Sequence, residues 1–307
     1  MQPNLDPVAR ELTGRFRRQK PLRGGSLIVT VFGDALLPRG GAIALASLIR
    51  LAQPFGLNER LVRTASARLV QDGWLEARRV GKLGEYRLSD IGRERFAEAT
   101  RRIYGEPVTP WTGRWTLILL PEVKGAAREK LRKELDWQGF GEISHGVFAR
   151  PQSRSGQPAA SHRGLKLPSS ALIFDADLTA DNRPASLVKL GWDLAALGKR
   201  YQRFVQRFER ALASARSRNI DPEAAFIVRT LMIHEYRRLH LRDPLLPQRL
   251  LPAGWPGTRA AELCRELYGR LFTSSENHLS TQAALLSGPL PPAALSVLRR
   301  FGGLEPH

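Results

Sequence analysis

The chain has 307 residues, enough for two or three domains, and at 42% hydrophobic it is too apolar to be a basic disordered tail. Lys and Arg number 48 against 29 Asp and Glu, a net charge of +19, which points to a soluble polyanion as partner, with nucleic acid first in line. A lone Cys264 excludes an internal disulfide or a thiolate zinc cluster and fits a reducing cytoplasm, and the longest apolar runs, such as Leu117–Leu120, fall far short of the roughly 20 residues that span a bilayer.

The opening residues carry Asp6 and Glu11 and lack an apolar stretch, so they read poorly as a signal peptide and only weakly as a transit peptide. Arg15, Arg17, Arg18, Lys20 and Arg23 surround one aromatic, and residues 1–24 read as a mobile basic arm. Charge is unevenly distributed beyond it. Residues 1–104 hold 19 basic and 10 acidic side chains and residues 181–307 hold 19 and 11, whereas residues 105–180 are close to neutral with 10 and 8. Pro and Gly cluster at Gly105–Pro110, and a Ser, Gln and Pro-rich stretch runs from Arg150 to Gly164. These breaks predict domains over residues 25–104, 111–180 and 185–307.

Ser26 to Leu37 is apolar and free of Pro, which predicts a first helix, and Ile43, Leu45, Ala46, Leu48, Ile49 and Leu51 predict a largely buried second one. Pro54-Phe55-Gly56-Leu57 stops that run. Asn58 is then a candidate cap for a third helix with Leu61, Val62, Ala65, Leu69 and Val70 on its apolar side. Arg60, Arg63, Thr64, Ala67, Arg68 and Gln71 fall on the other side. Two helices joined by a turn of about four residues, the second displaying Arg at i, i+3 and i+8, fit a recognition helix that enters a major groove. Asp72-Gly73 ends the helix, and Trp74–Val80 and Glu85–Leu88 predict two strands around Gly81-Lys82-Leu83-Gly84. With a further helix opening at Ser89, the order is that of a winged helix-turn-helix. Arg60, Arg63 and Arg68 are suited to pair with guanine edges, with Thr64 beside them. Arg78, Arg79, Lys82 and Arg87 on the hairpin are suited to phosphate contacts.

The middle reads β-α-β-β: strands at Trp115–Leu120, Glu142–Ala149 and Ser170–Asp177, with a helix over Ala126–Trp137. That order predicts part of a ferredoxin-like domain. Trp192, Tyr201, Phe204, Phe208 and Leu212 recur at helical spacing among Lys199, Arg200, Arg203, Arg207 and Arg210. Asp221 with Pro222 starts another helix through Tyr236, and a last one runs from about Thr258 to Phe272. The fold class is therefore α+β, with a helical C-terminal part.

Catalytic patterns are weak. Asp175 and Asp177 alternate on a strand end and share a face, which makes a metal-dependent nuclease the rival reading, but a third carboxylate in register is missing. His234-Glu235 lacks the second His of the zinc-protease pattern, because Arg238 stands there. Ser186-Leu187-Val188-Lys189 matches an acyl-enzyme pattern without its companions. No enzyme and no cofactor are expected. An RNA-binding module would favour exposed aromatics, whereas most aromatics here sit on buried patterns.

Several segments together resemble the PaaX-type repressors of phenylacetic acid catabolism. They are the helices and hairpin of residues 26–96, Trp111-Thr112-Gly113-Arg114-Trp115, Trp192-Asp193-Leu194 with Tyr201 and Phe204, His234-Glu235-Tyr236-Arg237-Arg238, Arg242-Asp243-Pro244-Leu245-Leu246-Pro247 and Trp255-Pro256-Gly257. Each is short, but their order and spacing cover nearly the whole chain. The stretches before residue 24 and over Gln157–Arg163 match no family motif. The resemblance implies a bacterial repressor with a winged helix, a ferredoxin-like centre similar to a CRISPR-associated endonuclease subunit, and a helical C-terminal domain. It implies a homodimer on palindromic double-stranded operator DNA, released by an acyl-coenzyme A such as phenylacetyl-coenzyme A. A thioester with several phosphate charges and an apolar acyl group needs cations beside aromatic rings. Trp192, Tyr201, His234, Arg237, Arg238 and Arg242 are the expected effector contacts.

Overall fold

A computed structural model of the chain describes residues 4–20, 24–105, 110–120, 123–153, 167–179, 183–217 and 219–304. The first elements are α1 (Asp6–Arg17), α2 (Gly24–Val31), β1 (Ala42–Ala44), α3 (Leu45–Ala52), α4 (Glu59–Gln71), β2 (Leu75–Val80), β3 (Leu83–Leu88) and α5 (Asp90–Tyr104). There follow β4 (Trp111–Leu119), α6 (Gly125–Trp137), β5 (Gly141–Ser144), β6 (Val147–Ser153), β7 (Leu172–Ala176) and α7 (Pro184–Gly191). The chain continues through α8 (Leu194–Ser214), α9 (Pro222–His240), α10 (Pro256–Gln282), β8 (Ala284–Leu285) and β9 (Gly288–Pro289). The fold is mixed helix and sheet, the α+β class expected, and every strand pairing among the described residues is antiparallel.

Local chemistry accounts for most boundaries. Side-chain caps start three helices: Asn58 Oδ1 accepts from Leu61 N at 2.9 Å, Ser89 Oγ from Gly92 N at 2.9 Å and Asp221 Oδ2 from Ala224 N at 2.8 Å. Four expectations are corrected. The opening stretch is not a mobile arm over its described length, because α1 buries Val8, Ala9, Leu12 and Phe16 on one face; Arg23 lies outside the described residues. The second predicted helix begins two residues late, because Ala42–Ala44 pair with Arg87–Glu85 instead, and a ladder bond outweighs the helix propensity of alanine. The single strand expected over Glu142–Ala149 is two, β5 and β6, joined where Gly146 at φ +73° reverses the chain. The last long helix runs ten residues past Phe272, to Gln282. The break expected over Gly105–Pro110 falls largely outside the described residues, and so does that over Arg150–Gly164 beyond its first four residues, which are not a break but the end of β6.

The chain divides into two compact units: residues 1–105, 202–238 and 259–307 make one, and 106–201 with 239–258 the other. α9 is buried continuously from Ala224 through His234, Arg229, Thr230 and His234 included, so it needs neighbours on all sides. Within the first unit Phe226 on α9 stacks on His278 of α10 at 5.0 Å and meets Phe55 edge-on at 5.9 Å, while His234 meets Phe16 of α1 at 5.6 Å. Its three-stranded sheet has the order β1-β3-β2.

In the second unit the sheet order is β5-β6-β4-β7, and the period-two alternation of β4 divides the core by face. Ile118 packs with Leu131 and Leu135 of α6, Phe140 and Phe148. Trp115 packs with Ala149, Val188 of α7, Leu194, Leu246 and Leu250.

Candidate nucleic-acid interface

The first unit places α3, a tight turn, α4 and the β2–β3 hairpin in succession. α4 packs against α2, and its buried positions are Val62, Ser66 and Leu69, spaced i, i+4 and i+7. Leu61, expected on that face, is instead 41% exposed, because one residue is 100° of rotation away from Val62. The turn ahead of α4 is held from α1: Arg17 donates to the Pro54 carbonyl at 2.8 Å and Phe16 packs edge-on against Phe55 at 6.5 Å. A segment expected to float therefore braces the turn.

All eight side chains expected to meet DNA face solvent: Arg60, Arg63, Thr64 and Arg68 on α4, Arg78 and Arg79 on β2, Lys82 in the turn and Arg87 on β3. Two have carboxylate neighbours. Arg63 pairs with Glu59 at 2.7 Å, with both side chains more than half exposed, and Arg87 lies 3.7 Å from Glu85. An exposed i, i+4 pair is worth well under about 1 kcal/mol, so Arg63 can leave Glu59 at little cost. The hairpin is rigid at its base: Ser89 Oγ donates to Gly73 O at 2.6 Å, and Trp74 lies edge-on to Phe96 at 5.4 Å beneath the Arg95 guanidinium.

The same unit contains a buried ionic cluster that periodicity did not reveal. Asp34 lies on a π-helical continuation of α2 and is 3% exposed. Its carboxylate accepts from Arg229 Nε at 3.0 Å, Arg300 Nη1 at 2.8 Å, Tyr104 Oη at 2.7 Å and Tyr268 Oη at 2.9 Å. Arg229 also reaches Glu276 at 2.7 Å, and Arg39 pairs with the other Glu276 oxygen. Burial by itself would raise the Asp34 pKa, but Arg229, Arg300 and the two phenols outweigh it and hold it below its ordinary value. Arg300 lies over the Tyr104 ring at 4.1 Å and Arg229 over Tyr268 at 4.5 Å. The only sequence hint was a lone Asp in an otherwise apolar helix.

The six expected effector residues divide by unit. His234, Arg237 and Arg238 belong to the first, and Trp192, Tyr201 and Arg242 to the second. His234 is buried with Nδ1 3.0 Å from Thr30 Oγ1. Arg237 donates to Thr30 Oγ1 at 2.8 Å and to the Ser26 carbonyl and hydroxyl at 2.7 Å, and burial holds its pKa down to about 10. Both tie α9 to α2. Tyr201 is buried, donates to Asp243 Oδ2 at 2.8 Å and packs edge-on to Trp255 at 5.9 Å. Trp192 lies 6.3 Å from Trp115. Arg238 is half-buried and Arg242 exposed. Several family-like motifs are thus packing motifs of the second unit.

The acidic pair is also occupied. Asp175 accepts from Gln152, and Asp177 lies 3.5 Å from Arg114. Among the described residues there is no group of three or more side chains able to hold a metal, and no helix is long and apolar enough to cross a membrane.

Residues 23–92 match the family model of the PaaX-like proteins, residues 108–188 that of the PaaX central Cas2-like domain, and residues 192–281 that of the PaaX-like C-terminal domain. The transcriptional repressor PaaX of Escherichia coli strain K12 is 35% identical over 290 residues, covering 93% of this chain and 92% of that protein. Among solved structures, an uncharacterized protein from Mycobacterium tuberculosis is 27% identical with a TM-score of 0.47, over 74% of this chain and 89% of that one. With all three models in order along it and a relative matched from end to end, the chain belongs to the PaaX family.

Proposed function

We propose that this chain is a DNA-binding transcriptional repressor whose residues 25–104 act as a winged helix-turn-helix, α4 lying in the major groove and the β2–β3 hairpin serving as the wing. The observation that carries this reading is the exposure of all eight expected DNA contacts on α4 and the hairpin, above a face anchored by buried side chains. The repressor name of the Escherichia coli relative supports it. The second unit fits a ferredoxin-like domain, since its strands run in the spatial order fourth-first-third-second.

The reading includes a homodimer on a two-fold operator, with half-sites about 34–36 Å or a multiple of that apart. It also includes control of a phenylacetate catabolic operon and release by an aryl-acyl-coenzyme A, phenylacetyl-coenzyme A first. Arg238 and Arg242 are the expected effector cations that keep solvent access, whereas His234 and Arg237 act through α2. Release requires the effector to favour the DNA-incompetent arrangement, with a coupling of about 1–3 kcal/mol.

Footprinting on the promoter of the neighbouring operon, followed by anisotropy on the protected duplex with and without phenylacetyl-coenzyme A, tests both parts. Arg63→Ala is expected to weaken specific binding more than non-specific binding, and Lys82→Ala to weaken both alike. Equal effects on specificity would reject the division between base and phosphate contacts. Absence of heat in a titration at high micromolar thioester would reject the effector.

A further inference from the structure

The hairpin ends in two apolar side chains that the interface described so far does not use. Val80 and Leu83 are 50% and 60% exposed, among the most exposed large apolar residues described. They are register partners, so they share one face of the ribbon and form a single patch. The turn between them is only Gly81-Lys82, with Gly81 at φ +60° in the left-handed region that a glycine-led two-residue loop requires. A turn this short fixes the patch at the tip. On the same face Arg78 lies two residues back, opposite Glu85, and Arg87 four residues back, opposite Glu76; both arginines are exposed, and Lys82 projects from the turn itself.

We propose that Val80 and Leu83 form an apolar wedge that seats in the minor groove of bound duplex DNA, pressing on sugars and base edges while Lys82 and the flanking arginines hold the phosphates on either side. This rests on the DNA-binding reading above and adds to it a part of the wing that reads groove width and deformability, not charge. Charge complementarity chooses the occupant. A second copy seated on this patch by two-fold symmetry would bring Arg78, Lys82 and Arg87 against the same three cations, whereas phosphates neutralise them. Minor-groove walls offer what the patch lacks in water: apolar sugar edges between two rows of anions.

The test compares the wild type, Val80→Ser with Leu83→Ser, and Lys82→Ala on the footprinted duplex, by anisotropy over a salt series and by end-to-end energy transfer for bending. The double serine variant is expected to bind about tenfold more weakly with an unchanged salt slope and a smaller bend, since an apolar contact releases no counterions. Lys82→Ala is expected to flatten the slope by about 0.9. Distamycin, which fills the minor groove, is expected to compete with the wild type more than with the double variant. Wild-type affinity and bend in the double variant would overturn the wedge and leave the repressor reading standing. A wild type that binds no duplex would overturn both, and loss of self-association in sedimentation of the double variant without DNA would assign the patch to a second copy instead.

Discussion

Asp34 shows how much one residue can carry when it is the only carboxylate in an apolar helix. Two guanidiniums and two phenols converge on it in the first unit. Removing one partner of a buried ion pair typically costs about 3–5 kcal/mol, because the remaining charge loses its water without gaining a counter-charge. Asp34→Asn is therefore expected to lower urea-unfolding stability by that order. The pH dependence has a definite sign. The Asp34 pKa is lower folded than unfolded, so its contribution is complete above the unfolded carboxylate value near 3.9 and is lost as pH falls through the folded value. Urea midpoints are expected to decline below about pH 4 in the wild type and less steeply in Asp34→Asn; parallel acid profiles would show that the carboxylate is not the titrating group.

At the scale of elements, α4 depends on its ends as much as on its face. Asn58 satisfies the Leu61 amide, and Asn58→Ala is expected to cost about 1 kcal/mol in stability. Because the cap also fixes where the first turn begins, weaker operator binding than that loss explains, measured at a temperature where the variant is fully folded, would show α4 fraying. The packing of α10 on α9 has a pH dependence of its own. His278 stacks on Phe226, and burial lowers its pKa despite the opposing pull of Glu223 and Asp221. The folded state disfavours its protonation, so stability is expected to fall as pH drops from about 6.5 toward the lower folded value. His278→Phe is expected to flatten that limb of a thermal-denaturation profile.

For the whole molecule, the segment proposed to bind DNA is not a detachable module. Its residues share a unit with α9, α10 and the C-terminal stretch, and the tail runs along it. Ala284 N donates to Ser47 Oγ at 3.0 Å, Leu286 N to the buried Glu85 carboxylate at 3.0 Å and Ala294 N to the Pro38 carbonyl at 2.8 Å. A fragment of residues 1–105 would leave Asp34 without Arg229 and Arg300 and would expose Leu27, Phe32 and Phe55. It is expected to show no cooperative unfolding transition, where the full chain shows one. A sharp transition in the fragment would refute the shared-unit account.

The sequence alone determined the features that depend on near neighbours. The cap at Asn58, the glycine-led hairpin, the exposed Arg60, Arg63 and Arg68 and the α+β class all follow from turn chemistry and helical or strand period, which act over a few residues. Only the tertiary structure decided what α1 does, that Leu61 faces outward, that Tyr201 and His234 are packing residues, and that Asp34 meets partners from four distant parts of the chain. Such outcomes turn on which surfaces meet across separations of up to 266 residues, as between Asp34 and Arg300. Buried ion pairs form where burial and geometry offset desolvation, and a one-dimensional pattern carries neither.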